Sequence, residues 1–182
     1  MSRPRVQLIL VCEDAQRAAF VRRFLRADSW DLSPGKFRVA KCPAGSQSAE
    51  QWVRENFVAE LKAFRSRAPA SKIIAVVDAD RLSVADRVQQ LDQACRDHGV
   101  KPREDGEGVA VIVPQRNIET WLAYLDGETV DQTTAYPRLD RESDCDRHVR
   151  QLQTLCQDRQ LRQPAPPSLE HACQEYRQRL RQ

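Results

Sequence analysis

Lys72-Ile73-Ile74-Ala75-Val76-Val77-Asp78-Ala79-Asp80-Arg81-Leu82 is the stretch whose reading decides the fold. Its apolar run, Ile73 to Val77, is short, unbroken and rich in β-branched residues, which predicts a strand buried on both faces of a parallel sheet. The run stops at Asp78-Ala79-Asp80. In parallel sheets the ligand site lies just beyond the carboxyl ends of the strands, and two carboxylates placed there suit a hard cation.

The same alternation continues on both sides of this stretch. Val6 to Val11 reads as a first strand, followed by Cys12-Glu13-Asp14. Residues 15–27 read as a helix with Ala18, Val21 and Leu25 inward and Arg17, Arg22, Arg23 and Arg26 on its other sides. Phe37 to Cys42 reads as a second strand. Ser48 then caps a helix running to about Arg65, with Gln51 as its capping-box partner and Val53, Phe57, Leu61 and Phe64 as its apolar stripe. Ala68-Pro69-Ala70 breaks that helix before the central strand.

Beyond Asp80, Ser83 caps a helix with Val84, Val88, Leu91 and Cys95 inward, and His98-Gly99 ends it. Val109 to Val113 is a further strand stopped by Pro114, and Asn117 caps a short helix turning Ile118, Trp121, Leu122 and Leu125 inward. This alternation predicts an α/β fold, a mainly parallel sheet flanked by helices in the Rossmann-like manner. Residues 1–126 make up that domain. Residues 127–182 read as a C-terminal helical appendage packed on it, with helices over 142–161 and 168–181 joined by Pro164-Ala165-Pro166-Pro167.

With 182 residues, 41% hydrophobic and 30% charged, the chain can bury a sizeable core. A net charge of +3 is too small to argue for nucleic acid by itself. No stretch approaches the about 18 apolar residues of a membrane span, and the amino terminus is too short in apolar residues for a signal peptide. A cytoplasmic protein is expected. Six cysteines, at 12, 42, 95, 145, 156 and 173, are scattered without a Cys-x-x-Cys. Buried free thiols in a reducing cytosol are the favoured reading. The set Cys145, His148, Cys156, His171 and Cys173 is the zinc alternative, with a spacing that matches no known knuckle. Gly-x-Ser-x-Gly and P-loop motifs are absent, and Trp52 and Trp121 fall at core-like helical positions rather than on a stacking platform.

Chemistry is expected where strand ends present acids: Glu13 with Asp14 after the first, Asp78 and Asp80 after the central one, Glu119 shortly after the last. Clustered carboxylates raise one another's pKa unless a cation sits among them. Magnesium, or manganese, accepts carboxylates and waters and then bridges to phosphate oxygens, which predicts metal-assisted phosphoryl transfer with one carboxylate handling a proton. The bland readings are an Asp78/Asp80 turn, a Glu13 placed by the helix macrodipole, and a Glu119 placed by the same field. Arg81 and Arg116 lie beside this edge, where each holds a phosphate or pairs with a neighbouring carboxylate, the ion pair being favoured.

With Val11-Cys12-Glu13-Asp14, Val77-Asp78-Ala79-Asp80 and Val113-Pro114-Gln115-Arg116-Asn117-Ile118-Glu119-Thr120-Trp121-Leu122 in that order, the chain resembles the Toprim fold, in particular small bacterial Toprim-like proteins related to overcoming-lysogenization-defect nucleases. The resemblance covers roughly residues 6–126. It implies a glutamate at Glu13 with acid/base or metal duty, magnesium ligands at Asp78 and Asp80, and an accessory carboxylate at Glu119. It also implies action on nucleic-acid phosphodiesters, DNA ahead of RNA, as a nuclease of a bacterial defence system. The alternatives are a non-catalytic subunit beside an ATPase and a hydrolase of small phosphate esters. Where many members carry glycine after the glutamate, this chain has Asp14, whose side chain crowds the approach of a phosphate backbone.

Overall fold

The computed structural model describes residues 7–46, 48–66 and 71–181. Val6 and the helix-breaking Ala68-Pro69-Ala70 lie outside the described residues. Strands form at β1 (Leu8–Cys12), β2 (Phe37–Lys41), β3 (Lys72–Val76) and β4 (Val109–Ile112). All pair in parallel, in the order β2-β1-β3-β4. The chain winds outward from the centre in both directions, so the switch point of the sheet falls between β1 and β3, where a crevice opens beyond the strand ends. Register places Cys12 beside Val76, and Val76 beside Ile112. The residues that follow β1 and β3 are therefore brought level at that point.

Each strand sends alternate residues to opposite faces. On one face Ile9, Val11, Ile73, Ala75, Val109 and Val111 pack against α2 (Ala49–Ser66) and α3 (Val84–Asp97), through Val53, Phe57, Leu61, Leu91 and Cys95. On the other, Leu8, Leu10, Ile74, Val76 and Ala110 pack against α1 (Ala15–Ala27), α4 (Glu119–Leu125), α5 (Asp146–Asp158) and α6 (Pro167–Glu175). The C-terminal helices thus supply half of the second core layer: Leu152, Leu169, Tyr176 and Leu180 share one cluster with the strands.

Local chemistry accounts for the helix ends. Asp14 caps α1, its Oδ1 accepting the Arg17 N–H at 3.0 Å. Ser48 Oγ accepts the Gln51 N–H at 3.2 Å, and the Gln51 side-chain amide donates to Glu55 at 2.9 Å. Ser83 does close one, with Asp86 as the reciprocal partner. At α4 the expected Asn117 cap is displaced: Ile118 holds the cap position without a side-chain bond, and Asn117 Oδ1 accepts from the Thr120 hydroxyl at 3.4 Å.

The cysteines correct one expectation. Cys12, Cys42, Cys95 and Cys145 are free and buried, whereas Cys156 of α5 and Cys173 of α6 form a disulfide, with Cα atoms 5.0 Å apart. The other members of the zinc alternative are engaged separately. Cys145 Sγ is 3.1 Å from the Glu142 carbonyl, His148 Nε2 is 3.0 Å from Asp126, and His171 Nε2 is 3.1 Å from the Val111 carbonyl. The tail has a second fastening that sequence left unmarked: Asp28, at the end of α1, accepts from Tyr176 and from Gln153 and Gln157 at 3.0 and 2.6 Å.

Candidate functional site at the carboxyl edge of the sheet

The apolar runs of β1 and β3 end at the switch point, and the first polar residues beyond them meet. Glu13 Oε1 accepts the backbone N–H of Asp78 at 2.9 Å, joining two residues 65 positions apart. Asp78 is 4% exposed. Burial pushes its carboxyl up to about 7 against the opposing pull of Arg17, and the neighbouring Glu13 and Asp80 push in the same direction. Burial also raises Glu13, with Asp80 and Asp14 adding to the rise and the Asp78 N–H resisting it. Three of the four expected acids therefore share one electrostatic neighbourhood.

Arg17 is the residue that sequence reading misplaced. Expected on an outer side of α1, its guanidinium instead turns into the acidic edge and donates to both oxygens of Asp78, with Nε to Oδ1 at 3.2 Å, and to Asp14. The surrounding carboxylates raise its pKa, so it stays charged. The available signal was the capped first turn: with Asp14 as N-cap, the residue three positions later lies back over the strand end. Cys12, immediately before the site, is a poor nucleophile, because burial pushes its thiol up to about 12.

Asp80 takes the left-handed backbone at φ +54°, a conformation aspartate tolerates, in the turn closed by Leu82 N–H to the Ala79 carbonyl at 2.9 Å. Its Oδ2 lies 3.3 Å from Arg87 of α3, a 5% exposed arginine that also meets the Ala79 carbonyl at 3.2 Å and Glu50 at 3.0 Å. Glu119 is placed elsewhere. It is 3% exposed, accepts from Gln16 at 2.8 Å and faces Arg138 at 3.8 Å, and among the described residues no hydrogen bond ties it to Glu13, Asp78 or Asp80.

The favoured ion-pair reading of Arg81 and Arg116 is corrected. Both are exposed, and among the described residues neither has a carboxylate partner or a side-chain hydrogen bond. They open instead on a cleft of about 840 Å³ lined by Asp80, Arg81, Leu82, Gln115, Arg116, Gln132 and Thr133.

Magnesium and manganese take hard oxygen donors, which Glu13, Asp78 and Asp80 possess. Their placement is a different matter. Asp78 gives both oxygens to Arg17, Glu13 gives Oε1 to a backbone N–H, and Asp80 leans on Arg87. Among the described residues, no group of three or more His, Cys, Asp or Glu side chains comes together to hold a metal ion. As arranged, the centre is a carboxylate cluster neutralised by a guanidinium, and it does not fit a metal cage.

Among the described residues no helix is long and apolar enough to cross a membrane. Comparison with family models, with curated proteins and with solved structures matches the chain to none of them.

Proposed function

We propose that the protein acts on nucleic-acid phosphodiesters, DNA ahead of RNA, as a Toprim-like nuclease, with host defence as its setting. The observation that carries this reading is the meeting of Glu13 and Asp78 at the switch point of a parallel sheet, both carboxyls held above their ordinary range. Buried acids with raised pKa in a crevice are suited to hold or release a proton during catalysis. Glu13 is the acid/base candidate, and Asp78 and Asp80 are its acidic partners. Glu13, Asp78 and Asp80 carry the hard oxygen donors that magnesium or manganese takes, while as arranged Asp78 gives its oxygens to Arg17. The Cys156–Cys173 bond argues for a compartment that is not strongly reducing.

The test is incubation of the purified protein with supercoiled and single-stranded DNA, and with RNA, in magnesium or manganese. Nicking or degradation is expected from the wild type and none from an Asp78→Asn/Asp80→Asn variant. Full activity in that variant removes the site assignment.

The grip of Arg17 on Asp78 favours a second reading, a non-catalytic subunit of a larger, ATPase-containing complex in which the guanidinium serves as a built-in cation. Co-purification with a partner, and no cleavage by either the isolated protein or the complex, decides for it.

A further inference from the structure

We propose that the cleft beside the acidic centre binds the sugar–phosphate backbone of single-stranded nucleic acid, with Arg81 and Arg116 as its phosphate contacts. The proposal rests on the nucleic-acid reading above for its substrate class, but not on cleavage.

The charges are available where they are needed. The other arginines near this edge and along β4 are paired: Arg17 with Asp14 and Asp78, Arg87 with Glu50 and Asp80, Arg103 with Glu175. Arg81 and Arg116 alone among these have no partner in the described residues, and both line the same cleft. Asp80, the one acid in its lining, is already turned to Arg87 at 3.3 Å. Unpaired arginines presenting flat, multiply donating guanidinium groups suit phosphate oxygens.

The two arginines are also held in position. The loop after β3 carries Arg81 and the loop after β4 carries Arg116. Gln115 Nε2 donates across to the Leu82 carbonyl at 3.1 Å, and Ala79 N–H donates to the Pro114 carbonyl at 2.9 Å. Arg116 sits at φ +66° and Asp80 at φ +54°, a sparsely populated region for residues with side chains, and such conformations persist where surrounding contacts over-determine them. The third wall is Gln132 and Thr133. The backbone there is pinned by Asp131, whose Oδ1 accepts the Thr133 and Thr134 N–H groups at 2.7 and 2.6 Å.

The lining selects the kind of nucleic acid. Two guanidiniums, two side-chain amides, a hydroxyl, one leucine and the carboxylate of Asp80 face the cleft, and no aromatic ring. Stacking platforms read bases, whereas donors of this kind read phosphate and sugar without sequence preference. A volume of about 840 Å³ falls in the range of roughly 300–1,000 Å³ typical of sites for compact ligands. That is room for a few nucleotides of one strand.

The experiment is fluorescence anisotropy of a labelled thymidine homo-oligomer of about a dozen nucleotides, a span within the site sizes of single-strand binders. It is done in EDTA so that neither metal nor cleavage contributes. Two phosphate contacts predict a log–log salt slope of about −1.4 for a single strand. Arg81→Gln combined with Arg116→Asn, asparagine being chosen because it tolerates the left-handed backbone, is expected to weaken binding at least about tenfold and to flatten the slope, at about 1.4 kcal/mol per factor of ten. A Lys62→Gln/Arg150→Gln variant removes the same charge from exposed positions outside the cleft lining and should leave both quantities unchanged. Urea midpoints confirm that each variant is folded. Binding that persists in the double variant, a duplex bound as tightly as the single strand, or no binding by the wild type overturns the proposal. Retained binding without cleavage in magnesium sinks the nuclease reading and leaves this one standing.

Discussion

Two of the buried arginine–carboxylate pairs among the described residues behave in opposite ways. At the open end of the switch point, Asp78 meets Arg17 and its pKa is pushed up, to about 7. Along the β4 edge, Glu175 of α6 meets Arg103, and although burial works to raise its pKa, its partners bring it below the ordinary value. Both carboxylates are almost fully enclosed, so burial alone does not separate them. Their company does. Glu175 accepts from Arg103 at 3.2 Å through one oxygen and from the Val111 N–H at 2.8 Å through the other, with Arg179 at 3.4 Å. Asp78 has one arginine, shared with Asp14, and two acids beside it. A carboxylate whose donors outnumber its rivals is a fastening. One whose rivals are left over is a group whose charge the fold has not settled, the usual mark of a functional site.

The fastening has an evident purpose. β4 is an edge strand, and an open edge is a template for unwanted pairing. Glu175 takes the Val111 N–H, and His171 Nε2 lies 3.1 Å from the Val111 carbonyl, so α6 covers that edge with side-chain partners.

The largest effect that tests the contrast comes from removing each arginine in turn. Arg103→Ala takes from Glu175 its closest charge partner, leaving Arg179 and the Val111 N–H, and should cost up to about 3–5 kcal/mol, the cost of breaking a buried pair. Arg17→Gln strands Asp78, which already holds a proton readily and takes one up instead. Its cost in urea unfolding at pH 7 should be under half that of Arg103→Ala, and should shrink further at lower pH. Equal costs at pH 7 break the comparison.

The pH dependence carries the same signs. Glu175, lowered in the fold, contributes stability that is full above its unfolded value of about 4.3 and lost as pH falls through its folded value. Asp78, raised in the fold, contributes stability present below its unfolded value of about 3.9 and lost as pH rises through about 7. Urea midpoints across pH 3 to 8 should therefore lose part of their acid limb in Glu175→Gln, and part of their decline toward neutrality in Asp78→Asn. An unchanged neutral limb in Asp78→Asn removes the account of that residue.

A smaller effect separates the two regions by function. The Cys156–Cys173 bond closes a separation of 17 residues and joins α5 to α6, well within the fastening side of the molecule. A loop of about 15 residues gives about 3 kcal/mol in the chain-entropy description. Cys156→Ser/Cys173→Ser should lower stability by up to that amount while leaving single-strand binding at the Arg81/Arg116 cleft untouched. A loss of binding in proportion to stability shows that the two regions are not independent.

Most of the fold was legible because three of the four strands among the described residues are compact apolar runs and the helices carry a stripe and, in three cases, a polar cap. The strand-end logic likewise brought Glu13 to Asp78 without any knowledge of pairing. What escaped was set by side-chain direction. Arg17 is one of four arginines on α1, and only its offset from the Asp14 cap turns it inward. Glu119 follows a strand end as expected, yet α4 begins a residue later than Asn117 suggests and its first turn faces Gln16. Cys156 and Cys173 occupy apolar positions on two helices, and no spacing rule pairs them. Arg81 and Arg116 looked like members of ion pairs because acids surround them in sequence. The fold spends those acids on other arginines.

The smallest expected effect lies on the boundary between the two behaviours. Ser83 caps α3, and the first turn it secures carries Arg87, which holds the Ala79 carbonyl and Asp80. Ser83→Ala removes the acceptor for the Asp86 N–H and should cost about 1 kcal/mol. The turn at Asp80 has its own closure, from Leu82 N–H to the Ala79 carbonyl at 2.9 Å, and Arg87 keeps Glu50 as a second anchor. The loss should therefore fray the helix start without releasing Asp80. Amide exchange should quicken over the first turn of α3 and stay slow at Ala79, whose N–H is held by Pro114 across the sheet at 2.9 Å. Faster exchange at Ala79 as well means that the acidic edge takes its rigidity from the helix cap and not from the strands, and the division between fastening and site then has to be redrawn through α3.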